Sequence, residues 1–331
     1  MTVPDIDDAL AGLVRQIPEG MVTTYRALAE ALGDPGAVRF VGKWLLGPGD
    51  RLEACPTRAE GLPVHRVVHA SGEVGRAAGL EPTSVAEMLR AEGVRVVGSR
   101  VDPLSRFFFW DFRTDRPLER LRADQVEIAR RVRLEPLPTV ETVAGLDIAY
   151  RGELAVAVQV LCRADGEVMD YVWKEIPIRF PYISTYLTWR ELPAFLSVMG
   201  EAERAGMCPD VILVDGNGIL HPRRAGIATH LGVLQDRPTV GVAKRRLCGE
   251  VNTEGMAINE WRPVKLGGEM IGAAVRTGRN RTLFVSPGHR ADLRSAVELV
   301  LSLTRESSHP EPLAWAHQLA TEAAHSPTRD P

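Results

Sequence analysis

Residues 211–230, VILVDGNGILHPRRAGIATH, constrain this chain more than any other stretch. Val211 to Val214 form a short apolar run that ends in Asp215, and Gly216, Asn217 and Gly218 cannot continue a strand. The run reads as a buried strand delivering Asp215 to its C-terminal end. In parallel sheets that end faces the crevice where ligands bind. A carboxylate there needs a partner, because an unpaired buried charge is costly. Gly216 and Gly218 lack a Cβ, which leaves room for a flat ligand or a phosphate to approach the backbone. His221-Pro222 then reads as the start of a helix, with Pro at the first helical position and Ile227, Ala228, Leu231 and Leu234 on one face. An Asp-Gly turn or a capping histidine is ordinary by itself; strand, acid, glycine pair, histidine and helix start together point to a site.

A length of 331 residues with 45% hydrophobic content is enough for two cores. The longest apolar runs are far too short to span a bilayer, and the N-terminus MTVPDIDDAL is acidic where a signal peptide would be basic. The expectation is a cytoplasmic chain with no membrane partner. Cys55, Cys162, Cys208 and Cys248 are scattered, so neither a disulfide framework nor a zinc site is indicated. A net charge of -3 does not decide for or against nucleic acid, since a basic groove can coexist with a near-neutral total.

In chain order, Ile6 to Ile17 reads as a helix closed by Pro18 and Gly20. Thr23-Thr24 caps a second, Tyr25 to Leu32, and Gly33-Asp34-Pro35-Gly36 turns into a third, Ala37 to Leu46. The stretches GMVTTYRALAEALG, GAVRFVGKWL, PVHRVVHASGEVG and LRAEGVRV follow one another over residues 3–112. In them the segment resembles the alkylguanine-DNA alkyltransferase family and its alkyltransferase-like relatives. The resemblance implies a winged-helix-like, helix-turn-helix DNA-binding domain. It also implies Arg39 as the finger filling the gap left by a flipped nucleotide, with Tyr25 helping to turn it out. Where true alkyltransferases carry the acceptor cysteine, between Pro63 and His65, this chain has Val64. Valine offers no nucleophile, so His65 and Glu92, the relay that would activate a thiolate, have nothing to activate. With Arg66 completing the motif, the domain is expected to sense alkylguanine in DNA without transferring the alkyl group; a flipped damaged base can be selected by binding alone.

Leu118 to Val132 reads as an arginine-rich amphipathic helix. Val143 to Tyr150 reads as a strand interrupted by Asp147, and Leu154 to Cys162 and Val168 to Ile176 flank the hairpin signal Asp165-Gly166. Phe180 to Ile183 leads into a helix with Leu192, Phe195, Leu196 and Met199 on one face. After the 211–234 strand and helix come strands at 239–243, 269–277 and 281–286. Ser286-Pro287-Gly288-His289 then leads to a helix from about Ala291 to Leu303. This order suggests an RNase H-like mixed sheet with helices on both faces. The expected layout is a DNA-binding domain over 1–112, a nuclease domain over 113–320 and a disordered tail over 321–331.

Asp147, Glu191 and Asp215 line up on this scheme, Glu191 lying one helical turn before Phe195 on the buried ridge. Three converging carboxylates raise one another's pKa unless a cation neutralises them, and oxygen-only ligands favour Mg2+ or Mn2+ over zinc. The second half also resembles endonuclease V, through VAGLDIAY, FPYISTYLTWRE, VILVDGNGILHPRRAGIATHLG, TVGVAKRRL and FVSPGH over residues 118–318. The resemblance assigns metal binding to Asp147, Glu191 and Asp215, His289 to a place beside the metal-bound phosphate, and Lys244 to a phosphate or transition-state contact. Leu187, Gly216, Gly218, His221 and Gly241 would line the pocket for an extruded hypoxanthine, and Pro181, Tyr182 and Ile183 would form a wedge entering the helix. Two positions depart from the family pattern: Ser184 stands for a second proline and Thr185 for the following glycine. The implied activity is a metal-dependent nick at the second phosphodiester 3′ of deoxyinosine, leaving 5′-phosphate ends. Two further readings stay open: inosine RNA as substrate, or alkylguanine sensing that directs the nuclease.

Overall fold

The computed structural model describes residues 3–47, 61–305 and 309–325. The chain divides into two compact units, Met1–Leu121 with Arg179–Ser184, and Arg122–Ile178 with Thr185–Pro331. The first unit therefore runs past residue 112 and takes in the stretch read as the wedge. Cys55 lies outside the described residues.

The first unit contains α1 (Ile6–Arg15), β1 (Thr23–Thr24), α2 (Tyr25–Ala31), α3 (Val38–Leu46), β2 (Val67–Val68), α4 (Pro82–Ala91), β3 (Val96–Val97), β4 (Arg100–Val101) and the single turn α5 (Leu104–Phe107). Thr24 caps α2 by accepting from the Ala27 amide at 3.1 Å, which is the use expected of a threonine before an amphipathic run. Asp34 accepts from the Gly36 amide at 2.7 Å and so shapes the turn into α3. β1 pairs with β2 in parallel, and β3 with β4 in a short antiparallel wing. The boundary between the units falls within α6 (Pro117–Arg130).

The second unit is built on one eight-stranded sheet: β5 (Thr142–Arg151), β6 (Leu154–Arg163), β7 (Val168–Pro177), β8 (Val211–Asp215), β9 (Thr239–Ala243), β10 (Trp261–Leu266), β11 (Glu269–Gly278) and β12 (Arg281–His289). Their order is β10-β11-β12-β9-β8-β5-β6-β7. β5, β8 and β9 run parallel at the centre, with antiparallel strands outside them, so the sheet is mixed as expected. Strand alternation divides the core in two. Ala144, Leu146, Ile212 and Val214 pack with α7 (Leu187–Arg204) and α8 (Ile227–Gln235). Val143, Val211, Leu213 and Val240 face the side of α9 (Leu293–Ser302) and α10 (Glu311–His325).

Several elements differ from the sequence reading. α8 begins at Ile227, not at Pro222, because residues 221–226 form an irregular turn with Arg224 at φ 57°. β12 continues through Ser286 to His289, a register shift between Pro287 and His289 absorbing the glycine. β10 pairs with β11, where no strand was read. α10 is a helix the sequence reading lacks altogether, and it runs to His325, so the expected tail is helical over residues 321–325; residues 326–331 lie outside the described residues.

Candidate functional site

Asp147 and Asp215 sit on neighbouring parallel strands. β5 and β8 are in register up to Leu146 opposite Val214, so each strand places its acid one residue further on, at the same edge. Both acids share the alternation of Val143 and Leu213, which directs them to the face covered by α10. There the Nδ1–H of His317 donates to Asp147 Oδ2 at 2.7 Å. Ligand atoms of Asp147, Asp215 and His317 all lie within 4.8 Å of one another. Lys244, just past the end of β9, donates from Nζ to Asp215 Oδ2 at 2.9 Å. A narrow cleft bordered by Asp215, Lys244, Leu313 and His317 opens beside them.

His317 was not read from the sequence. Its signal is Gly145, two residues before Asp147 on the same face. A Cβ at Gly145 would stand 2.1 Å from the Pro312 carbonyl oxygen, so glycine is what lets the start of α10 lie against the strand and carry His317 to Asp147.

Glu191, in the second turn of α7, is 8% exposed and accepts from the Tyr150 hydroxyl at 2.5 Å. Burial, followed by the charges of Asp147 and Asp215, pushes its carboxyl up to about 8 against the pull of the Tyr150 hydrogen bond. Burial and Asp147 also raise Asp215, and Lys244 opposes them. The hydrogen bond to Asp147 raises His317. Two acids whose pKa values are raised near a third, with an imidazole and an ammonium turned toward them, form a set of groups that a divalent cation would relieve. The donors fit such an ion: carboxylates are hard oxygen ligands, and one imidazole adjoins them.

His289 does not join this cluster. It pairs with Thr239 at the start of β9, whereas Asp215, opposite Val242, and Lys244 lie toward the other end, about 10 and 17 Å of strand away. Its Nε2 faces Asp236 Oδ1 at 3.1 Å, and its Nδ1 accepts from the Arg133 amide at 3.3 Å. The SPGH motif is thus a strand end tied to a turn, and the histidine beside the acids is His317.

The glycines expected around a base are taken up by close backbone packing. A Cβ on Gly241 would lie 2.4 Å from the Gly218 amide, and one on Gly218 would lie 2.0 Å from the Pro287 carbonyl oxygen. The Gly218 amide donates to Ser286 Oγ at 2.9 Å. Gly216 would meet Ile227 instead. The room at Gly218 and Gly241 is therefore filled by the chain itself and holds the 216–218 turn against β9 and β12. Leu187 opens α7 and is half-buried. His221 is buried; its Nδ1 accepts from the Arg223 amide at 3.1 Å, which leaves Nε2–H to donate to the Thr185 carbonyl at 3.1 Å. Burial lowers this histidine to about 3, so it stays neutral. Of the wedge residues, Tyr182 is exposed, Pro181 is half-buried and Ile183 is buried.

In the first unit Val64 is buried, in a turn that also presents His65 and Arg66. Arg66 donates to both oxygens of Glu92 at 2.8 to 3.1 Å and to the Ile17 carbonyl at 2.7 Å, and His65 Nε2 meets Glu92 Oε1 at 2.7 Å. These donors, with the Gly20 amide, outweigh burial and hold Glu92 down at about 2. Glu92 is therefore a buttress for Arg66 and His65. Arg39 is exposed on α3, and the half-buried Tyr25 ring lies 5.2 Å from that of His69.

The family model for endonuclease V matches residues 126–318. The chain belongs to the endonuclease V family. It is accordingly a nuclease acting on DNA, and its N-terminal part, residues 6–94, matches the DNA-binding domain of 6-O-methylguanine DNA methyltransferase. A protein of Picrophilus torridus named bifunctional methyltransferase/endonuclease is 33% identical over 315 residues, 95% of each chain. The endonuclease V of Streptomyces avermitilis superposes with a TM-score of 0.57 at 36% identity, covering 62% of this chain and 92% of its own. That of Ciona intestinalis, solved with a 24-mer DNA containing an inosine followed by a ribo-adenosine, gives 0.56 at 26% identity, over 63% of this chain and 98% of its own.

Proposed function

We propose that the second unit nicks a DNA strand at the second phosphodiester 3′ of deoxyinosine, with Mg2+ or Mn2+ held by Asp147, Glu191 and Asp215. The observation that carries this reading is the convergence of Asp147, Asp215 and His317 within 4.8 Å, where the pairing of the central strands β5 and β8 ends. Family membership, and the inosine-containing DNA bound to the Ciona relative, support deaminated purine as the lesion. When bound, the ion supplies Lewis acidity for the scissile phosphate and lowers the pKa of the attacking water.

The chain's own groups do the rest. Glu191 gives up the proton that burial holds on it, and Tyr150 stays neutral and orients the carboxylate. Lys244, freed from Asp215, offsets charge on the phosphate. His317 holds a proton on Nδ1 beside Asp147, within the cleft, where a departing oxygen needs one. Tyr182, the exposed member of the wedge, fills the space the base leaves. The first unit presents Arg39 and Tyr25 to DNA and senses alkylguanine; with Val64 in place of a thiol it transfers no alkyl group. We place the protein in the cytoplasm.

The test is strand nicking with Mg2+ on matched duplexes carrying deoxyinosine, alkylguanine or no lesion, beside an inosine RNA strand. Nicking at deoxyinosine alone, abolished in Asp215→Ala while binding persists, is the expected result. Full activity in Asp215→Ala refutes the site, cleavage beside alkylguanine means the first unit directs the nuclease, and cutting of inosine RNA alone makes RNA the substrate.

A further inference from the structure

The stretch read as the wedge is followed, two residues on, by a position where the family pattern has glycine and this chain has Thr185. Thr185 adopts φ 69°, in the left-handed region that a β-branched side chain resists. Such strain persists only where the surroundings over-determine it. Here they do. The Thr185 carbonyl accepts from Gln125 Nε2 at 2.9 Å, His221 Nε2 at 3.1 Å and Arg223 Nη2 at 3.1 Å, and its hydroxyl accepts from the same Arg223 nitrogen at 2.7 Å. The donors are themselves fixed. Gln125 is fully buried and also reaches the Ala225 carbonyl, Arg223 donates from Nε to Gln125 Oε1, and its guanidinium lies 4.8 Å over the Tyr186 ring. All of these groups belong to the second unit, and Thr185 is the residue at which the chain re-enters that unit after Arg179–Ser184.

We infer that Thr185 is a positioning residue for extrusion of the base from a duplex: its clamped carbonyl and hydroxyl fix the backbone that carries Pro181, Tyr182 and Ile183. A glycine reaches this conformation without strain but also leaves it freely. Threonine is held in it by a hydroxyl–guanidinium contact that glycine lacks. The ordering of the loop is then complete before DNA arrives, so insertion of the wedge loses less entropy. Single-stranded inosine has no duplex to open, and its cleavage does not draw on this ordering.

This inference rests on the inosine-nicking reading, and two readouts keep them apart. In Thr185→Gly, KM for duplex deoxyinosine rises about fivefold or more while kcat, and KM for the same lesion in a single strand, change less than about twofold. Thr185→Ser, which keeps the hydroxyl, restores the duplex KM. Hydrogen exchange of the amides of residues 182–186 in the free protein reads the clamp without catalysis: faster in Thr185→Gly, restored in Thr185→Ser. Equal changes on duplex and single strand, unchanged exchange, or a serine variant indistinguishable from glycine each overturn the inference. If the parent protein nicks neither form of inosine strand, the functional reading fails and exchange alone decides whether Thr185 is a clamp.

Discussion

Gly145→Ala adds one methyl group at the contact between β5 and α10. The new Cβ would lie 2.1 Å from the Pro312 carbonyl oxygen and 2.9 Å from the Leu313 amide, and both are backbone atoms that no rotamer change can remove. Restoring ordinary contact moves the start of α10 by about 1 Å or more. Overpacking of this kind costs about 1–3 kcal/mol, offset by the ~0.5–1 kcal/mol that alanine gains over glycine within a strand. The net loss, up to about 2.5 kcal/mol, lowers the melting temperature of the nuclease unit by up to about 10 °C. The same displacement stretches the His317–Asp147 hydrogen bond from 2.7 Å toward ~4 Å, where it no longer exists. Nicking therefore falls further than stability does. The assay pairs thermal denaturation, followed through the transition that Mg2+ shifts, with nicking at a temperature where the variant is fully folded. A variant as stable and as active as its parent would falsify the role given to Gly145 and, with it, the placing of His317 by backbone contact.

Two further outcomes follow from the shifted carboxyls. Because Glu191 is raised to about 8 in the metal-free protein, its contribution to stability is full below about 4.5 and is lost as pH rises through 8. A cation must displace that proton, so Mg2+ affinity climbs about tenfold per pH unit up to about pH 8 and then levels; a flat titration between pH 6 and 8 in Mg2+-dependent thermal shift contradicts this. Glu92→Gln leaves the half-buried Arg66 without its counter-charge and destabilises the first unit by about 2–3 kcal/mol at neutral pH. Since Glu92 is depressed to about 2, that deficit is full above about pH 5 and shrinks as pH falls toward 2, which acid titration of both proteins by circular dichroism measures; a deficit independent of pH speaks against the ion pair.

Local signals carried most of the fold. The Asp165-Gly166 hairpin, the Thr24 cap and the run into Asp215 each involve neighbours in sequence, and each formed where it was read. Asp147 and Asp215 are legible as a pair because an acid inside or at the end of an apolar strand is costly without a reason. The place of His289 is not legible in the sequence because a motif says nothing of register: only the pairing of β12 with β9 shows which end of the sheet it occupies. His317 escapes the sequence for the opposite reason, since it stands in an ordinary helical sequence and joins the acids only because α10 crosses β5 at Gly145. The helix start at Pro222 was a sound local rule overridden by a buried turn in which His221 and Arg223 reach back to Thr185.

Val64 has a consequence for how often the molecule can be used. A cysteine that accepts an alkyl group is spent by a single event, so each lesion removes one protein from circulation. A valine buried at that place forms no covalent bond and leaves lesion and protein as they were. On the proposed reading, in which the first unit binds alkylguanine, that binding is governed by mass action: the unit can let go, search and return, and its occupancy of damage rises and falls with its concentration.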